Sequence, residues 1–207
     1  MMDLSTILIF FPTFFLISLT PGMCMTLALS LGMSIGVRKT CWMMYGELLG
    51  VAIVAISSVL GVATLMLNSP LMFLILKLVG ACYLIYIATQ MWLNKGKLSL
   101  NQTTSPLLQT DRFGLFKQGF ITAIANPKGW AFMVSLLPPF IDDSHALPKQ
   151  LFVLVVIILF CEFICMCIYA TGGKGLSLLL AQRENVKLLN KISAFLMFCI
   201  AIWLILS

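Results

Sequence analysis

The chain has 207 residues, 61% of them hydrophobic and 10% charged, against roughly 25% charged in an ordinary soluble domain. Such a chain cannot cover itself in water, which excludes a soluble globular protein. Its net charge of +6 does not read as a nucleic-acid footprint, because the basic residues fall in short loops between apolar runs rather than along one face.

Apolar runs long enough to cross a hydrocarbon core of about 30 Å recur along the whole chain. In chain order they predict helices over roughly 4–34 (interrupted near Pro21), 41–67, 70–94, 115–141 (interrupted at Pro127), 149–171 and 187–206. The expected fold is an all-α membrane protein with one transmembrane domain over 1–207. The first run has the acid Asp3 and no basic residue before it, so a retained helix is expected rather than a removable signal peptide. Basic residues mark three loops as cytoplasmic: Arg38 and Lys39; Lys95, Lys97, Arg112 and Lys117; and Lys174, Arg183, Lys187 and Lys191. The termini, the Asn68-Ser69-Pro70 turn and the Asp142-Asp143 loop would then face outward. An odd number of spans with one re-entrant segment stays open, since proline and glycine weaken the first and fourth runs; it would move the N-terminus inside.

The polar stretch from Gly96 to Thr110 reads as a cytoplasmic connector, about 96–114, between one half of about 1–95 and another of about 115–207. Both halves open with a broken helix: Leu19-Thr20-Pro21-Gly22 in the first, Ala125-Asn126-Pro127-Lys128-Gly129 in the second. Glu47 and Glu162 follow in the second helix of each, and Lys77 and Lys191 open the third. Three crossings per half would give the copies opposite orientation, predicting two inverted three-helix repeats with broken helices 1 and 4. Chance agreement among a few polar residues is the competing reading.

A proline inside a membrane helix removes a donor and frees carbonyls that lipid cannot satisfy. The two breaks therefore predict one mid-membrane site in which half-helix N-termini accept a carboxylate, formed by Thr20, Pro21, Gly22, Asn126, Pro127 and Lys128; simple kinks are the bland alternative. Lys128 is expected on the cytoplasmic side of that cavity. A carboxyl at membrane depth faces a cavity, meets a cation or holds a proton. Glu47 and Glu162 are thus candidates for a substrate ammonium or a coupling proton, against snorkelling to the headgroups. Tyr83 is the candidate aromatic wall, against a place in the interfacial belt beside Tyr86 and Trp92. Gly46-x3-Gly50, Gly32-x3-Gly36 and Gly172-Gly173-x-Gly175 suit close helix approach within the chain, in a homodimer, or in sliding during transport. The seven cysteines lie mostly in apolar runs; Cys161, Cys165 and Cys167 lack CxxC spacing and a nearby histidine, the only one being His145, so no metal site is expected.

At the two breaks the sequence resembles the LysE/RhtB family of amino-acid exporters, the lysine exporter superfamily. The resemblance runs over almost the whole chain. It rests on Leu19-Thr20-Pro21-Gly22 and the run to Gly36, on Lys77-Leu78-Val79-Gly80-Ala81-Cys82-Tyr83-Leu84-Ile85-Tyr86, and on Gly119-Phe120 leading to Asn126-Pro127-Lys128-Gly129. It implies a multi-pass protein of the inner (plasma) membrane that exports amino acids or close derivatives, energised by the proton gradient. Two departures stand out. Met23, Cys24 and Met25 follow the first break where the family often has proline and a polar residue, suggesting a less polar or sulfur-tolerant substrate, and Ala88 stands where glycine is common.

No phosphate-binding loop, nucleophile elbow or zinc motif is present, so no enzyme and no cofactor is expected. The expected partners are an amino acid, protons and membrane lipid, without nucleic acid. An exporter of cations or other small solutes is the main alternative, with Glu47 and Glu162 as ligands. A thiol-redox conduit would need a cysteine in the fourth helix, and none occurs from Leu115 to Ile141.

Overall fold

The computed structural model describes residues 4–68, 70–93, 111–141 and 146–206. The connector from Gly96 to Thr110, with Lys95 and Lys97 beside it, Ser69, the Asp142-Asp143 pair and His145 lie outside them. The described residues form eight α-helices: α1 (Leu4–Leu19), α2 (Met23–Ile35), α3 (Val37–Asn68), α4 (Pro70–Leu93), α5 (Arg112–Ile124), α6 (Pro127–Leu136), α7 (Leu147–Ala181) and α8 (Arg183–Leu206). A short 3-10 turn, Pro138–Phe140, follows α6, and no strand occurs among the described residues.

Both expected interruptions are present. The Pro21 ring excludes a continued helix by crowding the carbonyl four residues back, that of Ile17. Gly22 is extended (φ −136°, ψ −172°) and starts α2, which leaves α1 at an angle of 59°. The second break is capped locally: Asn126 is the N-cap of α6, its side-chain oxygen accepts from the Lys128 backbone N–H at 3.1 Å, and Pro127 holds the first helical position. The helices α3 over Val37–Gly61 and α7 over Leu147–Gly173 are long and apolar enough to cross a membrane, as is the bent α1–α2 pair taken as one broken span.

The packing is reciprocal between the halves. The helix α3 lies against α5 and α6, and α7 against α1 and α2; α3 also meets α7, and α4 meets α8. The helices α3 and α5 run parallel, with Arg112 over the Trp42 ring (5.3 Å), Gly46 against Phe116 and Gly50 against Ala123. That interface is backbone on backbone: a Cβ on Gly46 would stand 1.9 Å from the Phe116 carbonyl oxygen, and one on Gly119 would stand 2.0 Å from that of Met43. Gly32 on α2 meets the Ala170 backbone of α7 in the same way, at 2.4 Å. Gly32 of α2 and the Gly46 and Gly50 pair of α3 therefore serve internal packing, while a Cβ on Gly36 would meet nothing within 4 Å.

Two apolar clusters fill the two ends of the bundle. One gathers Phe10, Phe14, Leu84, Phe132, Leu137, Ile158 and Met197. The other gathers Leu27, Leu31, Met43, Leu115, Met166 and Val186. The polar breaks, Glu47 and Glu162 fall between them along their helices. Large apolar side chains such as Leu8, Phe152, Phe195 and Ile202 face outward, as a lipid-bathed surface requires.

Two glycines take backbone angles that other residues avoid. Gly36 (φ 82°, ψ 156°) turns α2 directly into α3, and Gly173 (φ 46°) bends α7. Alanine at position 36 is expected to lower stability by about 1–3 kcal/mol, since that backbone region is nearly reserved to glycine. Thermal unfolding of the detergent-solubilised variant measures it, and an unchanged midpoint would show that the turn relaxes freely.

Candidate functional site

The two breaks meet at a narrow cavity of about 50 Å³, room for roughly three to five waters. Its wall brings together Ser18, Thr20, Gly22, Cys24 and Met25 from the first break, Asn126, Lys128 and Gly129 from the second, Glu47 from α3 and Glu162 from α7. Phe14, Val51, Val54, Phe132 and Met133 supply its apolar side.

The carbonyls released by the first break are satisfied from three directions. The Ile17 carbonyl accepts from the Thr20 backbone N–H at 3.2 Å, from the Thr20 hydroxyl, and from Lys128 Nζ at 3.5 Å. Tyr169 of α7 donates its hydroxyl to the Leu19 carbonyl at 2.8 Å. At the second break the Ala123 carbonyl accepts from the Asn126 N–H, and the Trp130 indole donates to the Ile124 carbonyl at 2.8 Å. The first break is thus closed in part from a distance, by Lys128 and Tyr169, and the second by its near neighbours Asn126 and Trp130.

Two contacts tie the breaks to each other. Lys128 Nζ donates to Thr20 Oγ1 at 2.6 Å, and Asn126 Nδ2 lies 3.8 Å from Cys24 Sγ. The Lys128 ammonium also lies 5.7 Å from the Phe132 ring centre, a cation–π arrangement. The carboxyl end of α1, where carbonyl dipoles leave partial negative charge, is where this cation rests.

The two acids stand differently. Glu162 is half-buried and accepts from Ser18 Oγ at 2.8 Å. Glu47 is 1% exposed, and neither of its carboxylate oxygens has a hydrogen-bond partner among the described residues. The Cys24 thiol, a weak donor at best, shares its stretch of wall. The start of α2 opens on the same cavity, and its Gly22 cap provides no side-chain acceptor for the first-turn N–H groups.

Of the residues singled out from the sequence, Thr20, Gly22, Asn126, Lys128, Glu47 and Glu162 line this cavity, and Pro21 sits within the break beside it. Tyr83 and Pro127 lie elsewhere, in a shallow groove on the other side of α6 with Val79, Trp130 and Val134. Met23 is exposed, so Cys24 and Met25 are the residues after the first break that reach the wall. Ser18 and Tyr169 escaped the sequence reading. For Tyr169 a signal existed, since a tyrosine deep in an apolar run needs a partner for its hydroxyl. Among the described residues no group of three His, Cys, Asp or Glu side chains is placed to hold a metal ion.

Phenylalanine at position 169 would leave the Leu19 carbonyl without its donor in a setting water does not reach. The expected loss is about 1–3 kcal/mol, read as a lower thermal midpoint; an unchanged midpoint would mean another donor takes over.

An all-helical membrane protein with two broken helices meeting at an interior polar cavity is built as a solute translocator. The chain belongs to the LysE type translocator family, whose profile matches residues 15–207. It is a transporter and not an enzyme. It is 30% identical over 177 residues to a homoserine/homoserine lactone efflux protein of Salmonella typhi, covering 85% of this chain and 84% of that one. It is 28% identical over 151 residues to a leucine efflux protein of Klebsiella pneumoniae, covering 73% and 69%. An uncharacterized membrane protein of Vibrio cholerae is 27% identical over 191 residues, covering 92% of each. No solved structure matches the chain.

Proposed function

We propose that the chain exports amino acids or their close derivatives outward across the inner membrane, driven by the proton gradient through alternating access. The observation that carries this reading is Glu47, a buried carboxyl with no hydrogen-bond partner among the described residues, on the wall of a cavity shared with Glu162, Lys128 and both helix breaks. A carboxyl at that depth takes a cation or a proton, and a substrate ammonium fits it. The uncapped start of α2 gives the other end of the substrate a set of N–H donors. The efflux relatives support an amino-acid cargo.

The proposed architecture is six spans in two inverted three-helix repeats, with both ends outside and proton access at Glu162. Reciprocal packing of α3 on the second broken helix and α7 on the first supports the repeat. The parallel course of α3 and α5 supports a single crossing, α4, between them, which gives the two broken helices opposite directions. Alternating access is supported by a seal on each side of the cavity. On one side stand packed rings, Phe10 with Phe14 (5.6 Å) and Phe10 with Phe140 (4.9 Å). On the other stands the apolar cluster of Leu27, Leu31, Met43 and Leu115. A cavity of about 50 Å³ is too small for a whole amino acid, so loading requires one seal to part.

Efflux of a labelled amino-acid panel from preloaded proteoliposomes, with and without an imposed proton gradient, tests the reading. Gradient-dependent export of one class is expected; no movement across the panel from folded protein would overturn it. In the same assay Glu162→Gln is expected to remove the response to the gradient while Ser18 still hydrogen-bonds the amide. Full gradient-driven export by that variant would exclude Glu162 as the proton site.

A further inference from the structure

We infer that the face of α3 carrying Glu47 continues outward as the wall of the exit path, and that the Ser58 hydroxyl is a second contact point for cargo, beneath the seal of Phe10, Phe14 and Phe140. This deepens the export reading and rests on its alternating access and on its topology, in which α3 ends on the outer side.

Among the described residues, the buried side-chain oxygens without a hydrogen-bond partner belong to two residues, Glu47 and Ser58. The two share a face. At about 100° per residue, Glu47, Val51, Val54 and Ser58 fall within about 60° of one another around α3, and Glu47, Val51 and Val54 line the central cavity. At 1.5 Å per residue Ser58 lies about 16 Å beyond Glu47, roughly half of a hydrocarbon core of about 30 Å. From a mid-membrane cavity, that distance ends at the outer mouth.

Five other helical hydroxyls, those of Ser34, Thr40, Thr89, Thr122 and Thr171, donate to the carbonyl four residues back at 2.6–2.9 Å. Ser58 has the Val54 carbonyl at the same spacing and does not use it. It is 4% exposed, and its neighbours Val54, Ala55 and Val59 belong to the apolar cluster of Phe10, Phe14 and Phe140. A hydroxyl unpaired among such side chains carries a desolvation cost that alanine, of nearly the same size, would avoid. Packing therefore gives no reason for the oxygen, whereas passage does. When the outer seal parts, the hydroxyl donates to a carboxylate oxygen of the cargo or accepts from its ammonium. Cargo leaving Glu47 then passes Val51 and Val54 and meets Ser58 before the outer water.

The full chain is tested in right-side-out membrane vesicles, loaded with an amino acid that the wild type exports or left empty. Ser58→Cys is treated with a membrane-impermeant, sulfonate-bearing methanethiosulfonate, and peptide mass spectrometry separates the introduced thiol from the seven native ones. Ile56→Cys, on the opposite and exposed face of α3, is the control. The expected result is labelling of Ser58→Cys from the outer face, faster during export than in empty vesicles, with Ile56→Cys unlabelled. No labelling during export, or labelling only in inside-out vesicles, would overturn this inference and leave the export reading standing. Ser58→Ala gives a second readout: the thermal midpoint is expected to rise, because the unpaired hydroxyl is gone, and efflux to fall about two- to tenfold, the worth of one hydrogen bond. A raised midpoint with unchanged efflux, or a lowered midpoint, would overturn the role of the hydroxyl. If the wild type moves no amino acid, the export reading falls, and this inference with it.

Discussion

Glu47→Gln is expected to lower efflux by about 50-fold or more while leaving the thermal midpoint near its original value. The two halves of that expectation have one cause. Glu47 makes no hydrogen bond to another described residue, so glutamine of the same shape forfeits no internal partner. The substrate, however, loses the buried carboxylate that faces it in the cavity. Breaking a desolvated charge pair removes about 2–5 kcal/mol, and each 1.4 kcal/mol is a factor of about ten. Glu47→Asp is expected to fall between, since the charge remains while the carboxylate retreats by one methylene. Initial rates from preloaded proteoliposomes and thermal unfolding of the same preparations decide it. Wild-type rates in E47Q would remove the cavity from the transport path. A collapsed midpoint would make Glu47 a structural residue.

The second large effect is expected at the α3–α5 contact. Gly→Ala within a helix ordinarily stabilises by about 0.5–1 kcal/mol. At Gly46 and Gly119 the sign is expected to reverse, because the added methyl would overlap a backbone carbonyl oxygen, at 1.9 and 2.0 Å, instead of a side chain able to swing aside. The helices must separate, and overpacking of this kind costs about 1–3 kcal/mol, occasionally more. G46A and G119A in one chain are expected to cost less than their sum, since either substitution already opens the shared interface. Gly61 is the control: nothing lies within 4 Å of a Cβ there, so G61A is expected to be neutral or stabilising. Unfolding midpoints in one detergent, with size-exclusion profiles, separate the cases. Equal behaviour of G46A and G61A would mean that α3 and α5 do not touch through their backbones.

Much of this protein was legible before any coordinate. Helix positions follow from apolar run lengths, which are one-dimensional. Both breaks follow from proline's missing donor and its clash one turn back, a local property of Pro21 and Pro127. Glu47 and Glu162 stood out because a carboxyl in an apolar run has few fates.

What the tertiary structure decided was partnership. Thr20 with Lys128, Ser18 with Glu162, and Tyr169 with the Leu19 carbonyl join residues more than one hundred positions apart, and nothing local to either member announces the other. Nor did the sequence tell which face of an all-apolar helix turns inward. In water an amphipathic stripe marks the buried side; in lipid both sides are apolar, so Tyr83 and Pro127 gave no sign that they line a separate groove rather than the central cavity. Gly46 and Gly32 were equally mute between a dimer seam and an internal one until Phe116 and Ala170 were seen against them. The sequence by itself determined that the chain is a membrane protein, where its helices break and which acids are buried. The tertiary structure alone decided which of those groups already have partners and that Glu47 has none among the described residues, because that depends on distances between helices which no period along the chain encodes.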